Sequence, residues 1–195
     1  MKTIDFYNKN AKSFYDRTVG IDLSETYDRF LAYLPTQSHI LDAGCGTGRD
    51  SKYFLSKGHS VMAFDASQEM CTLASKETGL SVQHLTFQDM SFNQEFEGVW
   101  ANASLLHLPY GETKEVYRKI HEALLPNGIF YGCYKYGDDY MPTPEREFWN
   151  MNETTILPYF EELFEVIEIW KEKDARSSIS PSPDQAWLHF IVRKS

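Results

Sequence analysis

The sequence is short of cysteine and of long apolar runs. Its 195 residues contain three cysteines, Cys45, Cys71 and Cys133, and no two of them have the spacing of a zinc site or a redox motif. No stretch approaches the roughly 20 apolar residues that span a bilayer. The first ten residues also lack the apolar segment of a signal peptide. We therefore expect a cytoplasmic protein with neither a bound metal nor a membrane partner.

Basic residues are scarce as well. The chain has 19 lysines and arginines against 28 aspartates and glutamates, which gives a formal net charge of −9. Nucleic-acid binding needs clustered lysine and arginine side chains to neutralise phosphates, and the sequence has no basic run. Nucleic acid is therefore not an expected partner, although this charge is compatible with a local basic pocket. Composition does not distinguish a monomer from a homodimer.

Glycine, by contrast, is concentrated in one turn. Residues 39–52 comprise a short apolar strand, an aspartate and then Gly44, Gly46 and Gly48 at alternate positions before a helix. Glycines allow a sharp backbone turn and the close approach of a ligand. A helix N-terminus offers free backbone N–H groups to that ligand. The turn is therefore the expected ligand site.

Strands and helices alternate along the middle of the chain. This order is typical of a parallel sheet that has helices on both faces and binds ligands at the carboxyl ends of its strands. The hydrophobic pattern predicts strands over residues 39–42, 60–64, 81–87, 99–103 and 129–135, and helices over 47–56, from Ser67 to Gly79, and over 113–125.

The remaining segments complete a single domain of residues 1–195. Residues 1–34 form an expected helical lead-in, which either packs its aromatic residues onto the domain or closes as a lid over the glycine turn. Residues 136–152 break the alternation with two prolines and four aromatic residues, and we expect a loop there on the substrate side. The other predicted elements are helices over 2–20, 25–34 and 154–163, strands over 164–172 and 186–193, and a loop over 173–185.

Three aspartates follow successive predicted strands. Asp65 comes 21 positions after Gly44, where a carboxylate can accept hydrogen bonds from both hydroxyl groups of a ribose. Asp42 precedes the turn and suits a ligand with an ammonium group, and Asp89 follows the third strand. Together with the glycine turn, these aspartates predict a ligand that contains a nucleoside.

Residue 49 distinguishes a dinucleotide from other ligands that contain a nucleoside. A dinucleotide-binding turn has its third glycine there, because the helix must approach the strand and the pyrophosphate closely. This chain has Arg49 instead. The arginine disfavours a nicotinamide-dinucleotide oxidoreductase, which stays an alternative together with a nucleoside-binding module without catalysis. Arg49 and Asp50 begin the next helix, where they either touch the ligand or brace the lead-in helix.

Motifs along the chain resemble those of class I S-adenosylmethionine-dependent methyltransferases. Residues 40–48 resemble the first motif of this family, and residues 98–107 and 125–129 resemble later ones. The Gly-Arg-Asp-Ser extension at residues 48–51 is similar to that of small bacterial methyltransferase-domain proteins, including tellurite-resistance-type relatives. The resemblance implies a Rossmann-like three-layer α/β sandwich, whose seven-stranded sheet is mostly parallel with an antiparallel last strand. It also implies in-line methyl transfer from S-adenosyl-L-methionine to a small-molecule acceptor.

The resemblance also implies roles for individual residues. Asp42 and the backbone of residues 44–46 would line the methionine part of the cofactor, Asp65 would bind the ribose, and Asp89 would reach the adenine amino group. Relatives have an Asn-Ala-x-x-Tyr motif over the methionine end, whereas this chain has Phe14 at the tyrosine position and Tyr15 one residue later. The full set of expected cofactor contacts is Tyr15, Asp42, Gly44, Cys45, Gly46, Arg49, Asp65, Ala66, Met70, Asp89, Met90, Ala101 and Asn102.

Candidates for the acceptor side follow the fourth and fifth strands. His107 is a candidate general base for an acceptor oxygen or nitrogen; alternatively, it is bonded to backbone at a helix start. If Lys135, Arg146 and Arg176 converge, they favour an acidic acceptor, because arginine binds carboxylates in a bidentate manner. If they do not, they are solvated surface charges. Trp149 is a candidate wall of the pocket or part of the core.

Overall fold

The computed structural model describes residues 2–174 and 185–195. Its strands are β1 (His39–Ala43), β2 (Ser60–Asp65), β3 (Gln83–His84), β4 (Phe96–Ala101), β5 (Leu124–Lys135), β6 (Tyr140–Pro142), β7 (Glu147–Trp149), β8 (Phe164–Lys173) and β9 (Ala186–Lys194). Its helices are α1 (Lys2–Thr18), α2 (Ser24–Leu31), α3 (Arg49–Ser56), α4 (Gln68–Thr78), α5 (Tyr110–Ala123) and α6 (Glu153–Phe160), with a 3₁₀ helix at Leu105–His107.

Seven strands form one sheet in the order β3-β2-β1-β4-β5-β9-β8. The strands β1 to β5 pair in parallel, whereas β9 is antiparallel to both of its neighbours, β5 and β8. The predicted seven-stranded, mostly parallel sheet with an antiparallel last strand is thus confirmed. Because β9 lies inside the sheet, its central residues are buried, as are those of β1 and β4.

Helices cover both faces of the sheet and give the fold its three layers. On one face, Phe30 of α2 and Phe54 of α3 pack against Trp100 of β4. On the other face, Tyr117 of α5 stacks on Phe160 of α6 at 5.9 Å. All five rings are buried, and burial of a large apolar side chain contributes roughly 1.5–3 kcal/mol. The first cluster packs α2 and α3 onto β4, and the second packs α5 against α6.

Helix α4 begins and ends where the sequence predicts. The hydroxyl of Ser67 accepts a hydrogen bond from the backbone N–H of Met70 at 3.3 Å, which caps the helix N-terminus. Gly79 ends the helix with a φ of +77°, a conformation that glycine adopts without strain. The local sequence therefore sets both ends of this element.

The strand predicted over residues 81–87 is much shorter in the structure. Only Gln83–His84 pair with the end of β2, and the chain then turns, with the hydroxyl of Thr86 bonded to the carboxylate of Asp89 at 2.6 Å. The apolar alternation continues past the strand because Phe87 enters the core from the turn. The prediction was wrong here because a pattern of buried residues does not by itself require a pairing partner.

The predicted loop over residues 136–152 contains a small antiparallel hairpin. In this hairpin β6 pairs with β7, and Tyr140 lies opposite Trp149. The turn is closed by Thr143, whose backbone N–H and hydroxyl both donate to the Arg146 carbonyl, at 2.7 and 2.9 Å. The segment is therefore more ordered than predicted and places Arg146 in a defined position.

Helix α1 is bonded to three separate parts of the domain. Thr3 accepts a hydrogen bond from the backbone N–H of Glu147 in β7 at 3.2 Å, and Asn8 accepts one from the Ser67 hydroxyl at 2.7 Å. At its far end, the Thr18 carbonyl accepts from Arg49. In the part of the chain that the structure describes, no helix has the length and apolar character needed to cross a membrane.

Candidate active site

The glycine turn after β1 uses several of its N–H groups within the protein. Those of Gly44 and Cys45 both donate to the Phe64 carbonyl at 2.9 Å, and that of Gly46 donates to the Asp65 carboxylate at 2.9 Å. These groups are not free for a ligand, contrary to the expectation from the sequence. The reason is that β1 and β2 run side by side, so that the end of β2 reaches the turn.

The three glycines of the turn, all with positive φ, serve different purposes. A Cβ atom on Gly44 would lie 2.5 Å from the Cβ of Ser104, and one on Gly48 would lie 3.1 Å from the Ala74 backbone. Among the described residues, a Cβ on Gly46 would meet no atom within 4 Å. Gly44 and Gly48 therefore permit tight packing, whereas Gly46 leaves room above the turn for a ligand.

Asp65, at the end of β2, is partly buried and has remaining hydrogen-bonding capacity. Its two carboxylate oxygens accept from the backbone N–H groups of Gly46 at 2.9 Å and Ser67 at 2.8 Å. Burial raises the pKa of this carboxyl above its ordinary value, and the two backbone hydrogen bonds oppose that rise. Since a carboxylate offers about four acceptor positions, Asp65 can also accept from two hydroxyls. This fits a ribose diol.

Asp42 lies beneath the turn and does not line the cavity described below. It is almost fully buried, and it accepts a hydrogen bond from the Ser51 hydroxyl at 2.6 Å. Burial, together with the negative charge of Asp50, raises the pKa of Asp42 to about 8. The structure thus places this side chain between β1 and α3, outside the cavity lining, and its contact with the methionine part of the cofactor stays a prediction.

The buried carboxylate of Asp50 accepts four side-chain hydrogen bonds. They come from Tyr27 at 2.6 Å, Trp100 at 2.8 Å, Arg49 at 2.6 Å and Asn102 at 3.1 Å. Burial would raise the pKa of Asp50, but the charge of Arg49 and these hydrogen bonds outweigh it and hold the pKa below its ordinary value. Asp50 therefore stays ionised and links α2, α3 and the end of β4.

Arg49 connects this buried carboxylate to helix α1. Its guanidinium donates to Asp50 at 2.6 Å and to the Thr18 carbonyl at 3.3 Å. Of the two alternatives for Arg49, the brace of the lead-in helix is thus confirmed. The side chain also lines the cavity, so that a contact with the ligand stays a prediction.

On the adenine side the structure separates the expected residues. Asp89 is exposed, bonded to Thr86, and outside the cavity lining, and Met90 is buried in the core. Gln88 lines the cavity instead and donates to Glu112 at 2.5 Å. The early end of β3 accounts for this shift. The cavity lining here comprises Ala66, Met70, Leu85, Thr86, Phe87 and Gln88.

The exit of β4 forms a strained turn against the glycine turn. Ala103 has a φ of +52°, which is unfavourable for a residue with a Cβ atom, and its N–H donates to the Cys133 sulfur at 3.1 Å. Strained backbone of this kind clusters at functional sites. Asn102, Ala103 and Ser104 line the cavity, whereas Ala101 is fully buried and does not.

A cavity of about 820 Å³ extends from these turns to the underside of α1. This volume lies within the range of about 300–1,000 Å³ that is typical of small-molecule sites. Helix α1 contributes Tyr7 and Phe14 to the lining, whereas Tyr15 lies outside it and donates to Glu77 at 3.1 Å. Of the two adjacent rings, Phe14 is therefore the one that lines the cavity, at the position where the resemblance implies a tyrosine.

His107 also lines the cavity. Its Nε2 atom is 2.9 Å from the hydroxyl of Tyr7, and its Nδ1 atom is 2.7 Å from the carbonyl oxygen of Glu147. Burial lowers the pKa of His107 to about 4, and the charges of Arg146 and Lys135 act in the same direction. The imidazole is therefore neutral at physiological pH, as a general base must be.

Two of the three predicted acceptor-side cations converge near His107. The Nζ atom of Lys135 lies 3.6 Å from the centroid of the Phe148 ring, and the guanidinium carbon of Arg146 lies 5.1 Å from it. Trp149 lines the cavity beside them. Arg176 lies outside the described residues.

Sequence reasoning missed several residues that line the cavity. Tyr7 is one of the aromatic residues of the lead-in helix, and the signal that could have singled it out is its helical spacing of seven residues from Phe14. His189 of β9 is buried, with Nδ1 2.9 Å from the hydroxyl of Tyr131. No local motif marks it, because only the sheet order brings β9 beside β5.

The sheet order, the glycine turn after β1 and the carboxylate after β2 agree with the resemblance to class I S-adenosylmethionine-dependent methyltransferases. A family model described as "Methyltransferase domain" matches residues 40–128. That match covers the turn, both neighbouring strands and the segment of His107.

Comparisons with individual proteins also match methyltransferases. The chain is 25% identical over 208 residues to an uncharacterized methyltransferase of Staphylococcus carnosus, covering 99% of this chain and 100% of the relative. It is 39% identical over 69 residues to a malonyl-[acyl-carrier protein] O-methyltransferase of Pectobacterium atrosepticum, covering 34% of this chain and only 27% of that protein.

Among solved structures, the fold is similar to that of a 1,6-didemethyltoxoflavin-N1-methyltransferase of Burkholderia thailandensis. The TM-score is 0.82 at 20% identity, with coverage of 100% of this chain and 88% of that one. That structure contains 1,6-didemethyltoxoflavin and S-adenosylhomocysteine. At this identity the likeness establishes the fold, not the acceptor.

Proposed function

We propose that this methyltransferase acts on a small-molecule acceptor held in the cavity beneath α1. One observation carries the proposal: the glycine turn with Asp65 and the pair Tyr7–His107 line the same cavity of about 820 Å³. A cavity of this size has room for a nucleoside cofactor together with a small second molecule. Fold alone could not supply this conclusion, since function depends on the site.

The residues of the turn side fit the nucleoside half of the cofactor. Asp65 would accept hydrogen bonds from both ribose hydroxyls, while the space above Gly46 would admit the cofactor. Ala66 and Met70 would border the adenine. Asn102 would lie near the methionine end, with Phe14 of α1 above it.

When bound, S-adenosyl-L-methionine supplies an electrophilic methyl group. The task of this chain is then to hold the acceptor in line with that group and to exclude water, and such positioning can lower a barrier by about 7–11 kcal/mol in the best cases. Helix α1 acts as the lid in this proposal, because it is bonded at Thr3, Asn8 and Thr18. The fully neutral His107 would accept the acceptor's proton through Tyr7.

Calorimetry tests the cofactor part of the proposal. We expect S-adenosyl-L-methionine to bind and a nicotinamide dinucleotide not to bind. Binding of the dinucleotide alone would contradict the class of ligand. Product formation from methyl-labelled cofactor, measured with small acids, thiols, amines and metalloid oxyanions, then separates an enzyme from a nucleoside-binding module.

The finer expectations from the sequence stay predictions. They are a cytoplasmic location, no nucleic-acid partner, a tellurite-resistance-type relationship, and a monomer or homodimer. The metalloid oxyanion in the acceptor panel tests the third, and sedimentation of the purified chain tests the last.

A further inference from the structure

The guanidinium of Arg146 is held by aromatic rings rather than by an acidic partner. Its carbon lies 4.4 Å from the centroid of the Phe6 ring of α1 and 5.1 Å from that of Phe148 of β7. Within residues 2–174 and 185–195 it makes no hydrogen bond and no ion pair. A guanidinium in contact with ring faces keeps its five N–H donors for another ligand. Arg146 lines the cavity.

A second cation lies against the same ring. The ammonium group of Lys135, at the end of β5, is 3.6 Å from the Phe148 centroid. The two cations come from elements that are distant in sequence, and the hairpin of β6 and β7 brings them together. Both positive charges act on His107, because each lowers its pKa in addition to the larger effect of burial. Two positive charges therefore lie at this end of the cavity, although the chain carries a formal net charge of −9.

Neighbouring acidic groups of the lining have other partners. The Glu147 carboxylate accepts from the Tyr140 hydroxyl at 2.7 Å, and the Glu112 carboxylate accepts from Gln88 at 2.5 Å. Neither is bonded to Arg146. A ligand anion would thus meet the guanidinium without displacing a described ion pair.

We infer that Arg146 and Lys135 bind a carboxylate of the methyl acceptor, and that this acceptor is an aromatic or otherwise apolar carboxylic acid. The planar edge of a guanidinium matches a carboxylate with two parallel hydrogen bonds. The rest of the acceptor would contact the apolar lining next to the cations, which comprises Ile4, Leu106, Leu108, Phe148 and Trp149. The inference rests on the proposed small-molecule acceptor and names its chemical class.

Binding of matched acids and amides tests the inference. The protein, saturated with S-adenosylhomocysteine, is titrated by calorimetry with benzoate, indole-3-acetate and their amides. We expect the acids to bind about 10- to 100-fold more tightly than the amides, as a charged hydrogen-bonded pair predicts. Arg146→Gln should remove this preference, and Arg146→Lys should retain part of it because the charge stays without the bidentate geometry.

The chain provides matched control variants. The guanidinium carbon of Arg29 lies 4.9 Å from the centroid of the Trp170 ring, and Nζ of Lys171 lies 3.6 Å from that of the Tyr136 ring. Neither residue lines the cavity. Arg29 is therefore a matched control for Arg146, and Lys171 for Lys135. Arg29→Gln and Lys171→Gln should therefore leave the preference for acids unchanged. Equal losses in these variants would show a general charge effect and overturn the inference.

Binding of S-adenosylhomocysteine is measured first for every variant. Its failure in the unmodified protein would contradict the proposed function, whereas its success followed by equal binding of acids and amides would overturn only the carboxylate site. Absence of acid binding at about 10 mM, which detects even millimolar dissociation constants, would overturn it too. Tighter binding of phenyl phosphate than of benzoate would also count against a carboxylate.

Discussion

The hydroxyl of Tyr7 donates a hydrogen bond to Nε2 of His107. The direction follows from the other side of the ring, where Nδ1 lies 2.7 Å from the Glu147 carbonyl, an atom that can only accept. Nδ1 therefore carries the proton of the neutral imidazole, and Nε2 accepts from Tyr7 at 2.9 Å. Nε2, the unprotonated nitrogen of His107, is thus connected to the cavity through the hydroxyl of Tyr7 in α1.

Replacement of Tyr7 by phenylalanine should lower kcat far more than it lowers cofactor affinity. General base catalysis typically contributes about 10²–10⁴-fold to a rate, and Tyr7→Phe interrupts the path to the base. Steady-state kinetics with an acceptor from the labelled-cofactor panel would measure this. Tyr33→Phe, which loses a bond to Glu168 at 2.6 Å outside the cavity, is the control. An unchanged kcat in Tyr7→Phe would exclude the relay.

The two buried histidines should favour unfolding as the pH falls from about 6.5 to 4, whereas Asp42, whose pKa is raised to about 8, acts in the opposite direction. His107 and His189 each have a pKa lowered to about 4, mainly by burial, against about 6.5 in the unfolded chain. In that window each histidine binds more protons in the unfolded state, so the contribution of the histidines to the free energy of unfolding falls as the pH falls. Urea denaturation at several pH values would show this. His189→Gln should make the dependence shallower, and an identical slope would contradict the assignment.

Replacement of Gly46 by alanine should abolish cofactor binding, and it should lower stability no more than Gly79→Ala does. Both Gly46 and Gly79 have positive φ, and at either position an added Cβ would have no described atom within 4 Å, so alanine costs each about 1–2 kcal/mol of backbone strain. Only Gly46 lines the cavity. Thermal unfolding and calorimetry of Gly46→Ala and Gly79→Ala would separate the two effects. Equal cofactor affinity in both would show that the ligand does not lie above the turn.

Asp65 and Asp89 should differ in their effect on the cofactor. Asp65→Ala should weaken S-adenosyl-L-methionine binding at least about tenfold, because hydrogen bonds to a charged group are worth about 1.5–3 kcal/mol each. Asp89→Ala should leave affinity unchanged, since its side chain is exposed and bonded to Thr86. Calorimetry with both variants checks this. The reverse order would place the ribose or the adenine elsewhere.

Removal of Arg49 should cost much more stability than removal of a surface arginine. Arg49→Met leaves the buried Asp50 carboxylate without its cation, which costs roughly 3–5 kcal/mol. Arg29→Met breaks an exposed pair with Glu168, worth about 0–1 kcal/mol. Chemical denaturation would measure both. In Arg49→Met/Asp50→Asn we expect much of the loss to be recovered, and no recovery would mean that Arg49 acts through packing alone.

The order of strands and helices could be predicted from the sequence because each element carries its own local pattern. Ser67 and Gly79 mark the ends of α4, and an apolar strand precedes the glycine turn. The extent of pairing could not be predicted in the same way. The strand β3 ends at His84 because its partner β2 ends at Asp65, and that limit lies in another segment of the chain.

The same distinction applies to the residues of the site. Asp65 and Gly46 could be placed because each follows one of two consecutive parallel strands that pair side by side, and a hydrogen bond joins them. Asp42 and Asp89 share the same strand-end position in the sequence, yet one is buried under the turn and the other is exposed. Arg146 depends on a hairpin that alternation did not predict, so its aromatic partner Phe6 could not be named.

The three attachments of α1 have a kinetic consequence. Hydrogen bonds at Thr3, Asn8 and Thr18 join the helix to separate elements, so no single bond rupture frees it. Lid motions occur over microseconds to milliseconds, and lid opening limits turnover in many enzymes. We expect release of S-adenosylhomocysteine, rather than methyl transfer, to be the rate-limiting step. Loosening the Asn8 attachment should therefore shorten the residence time of the product.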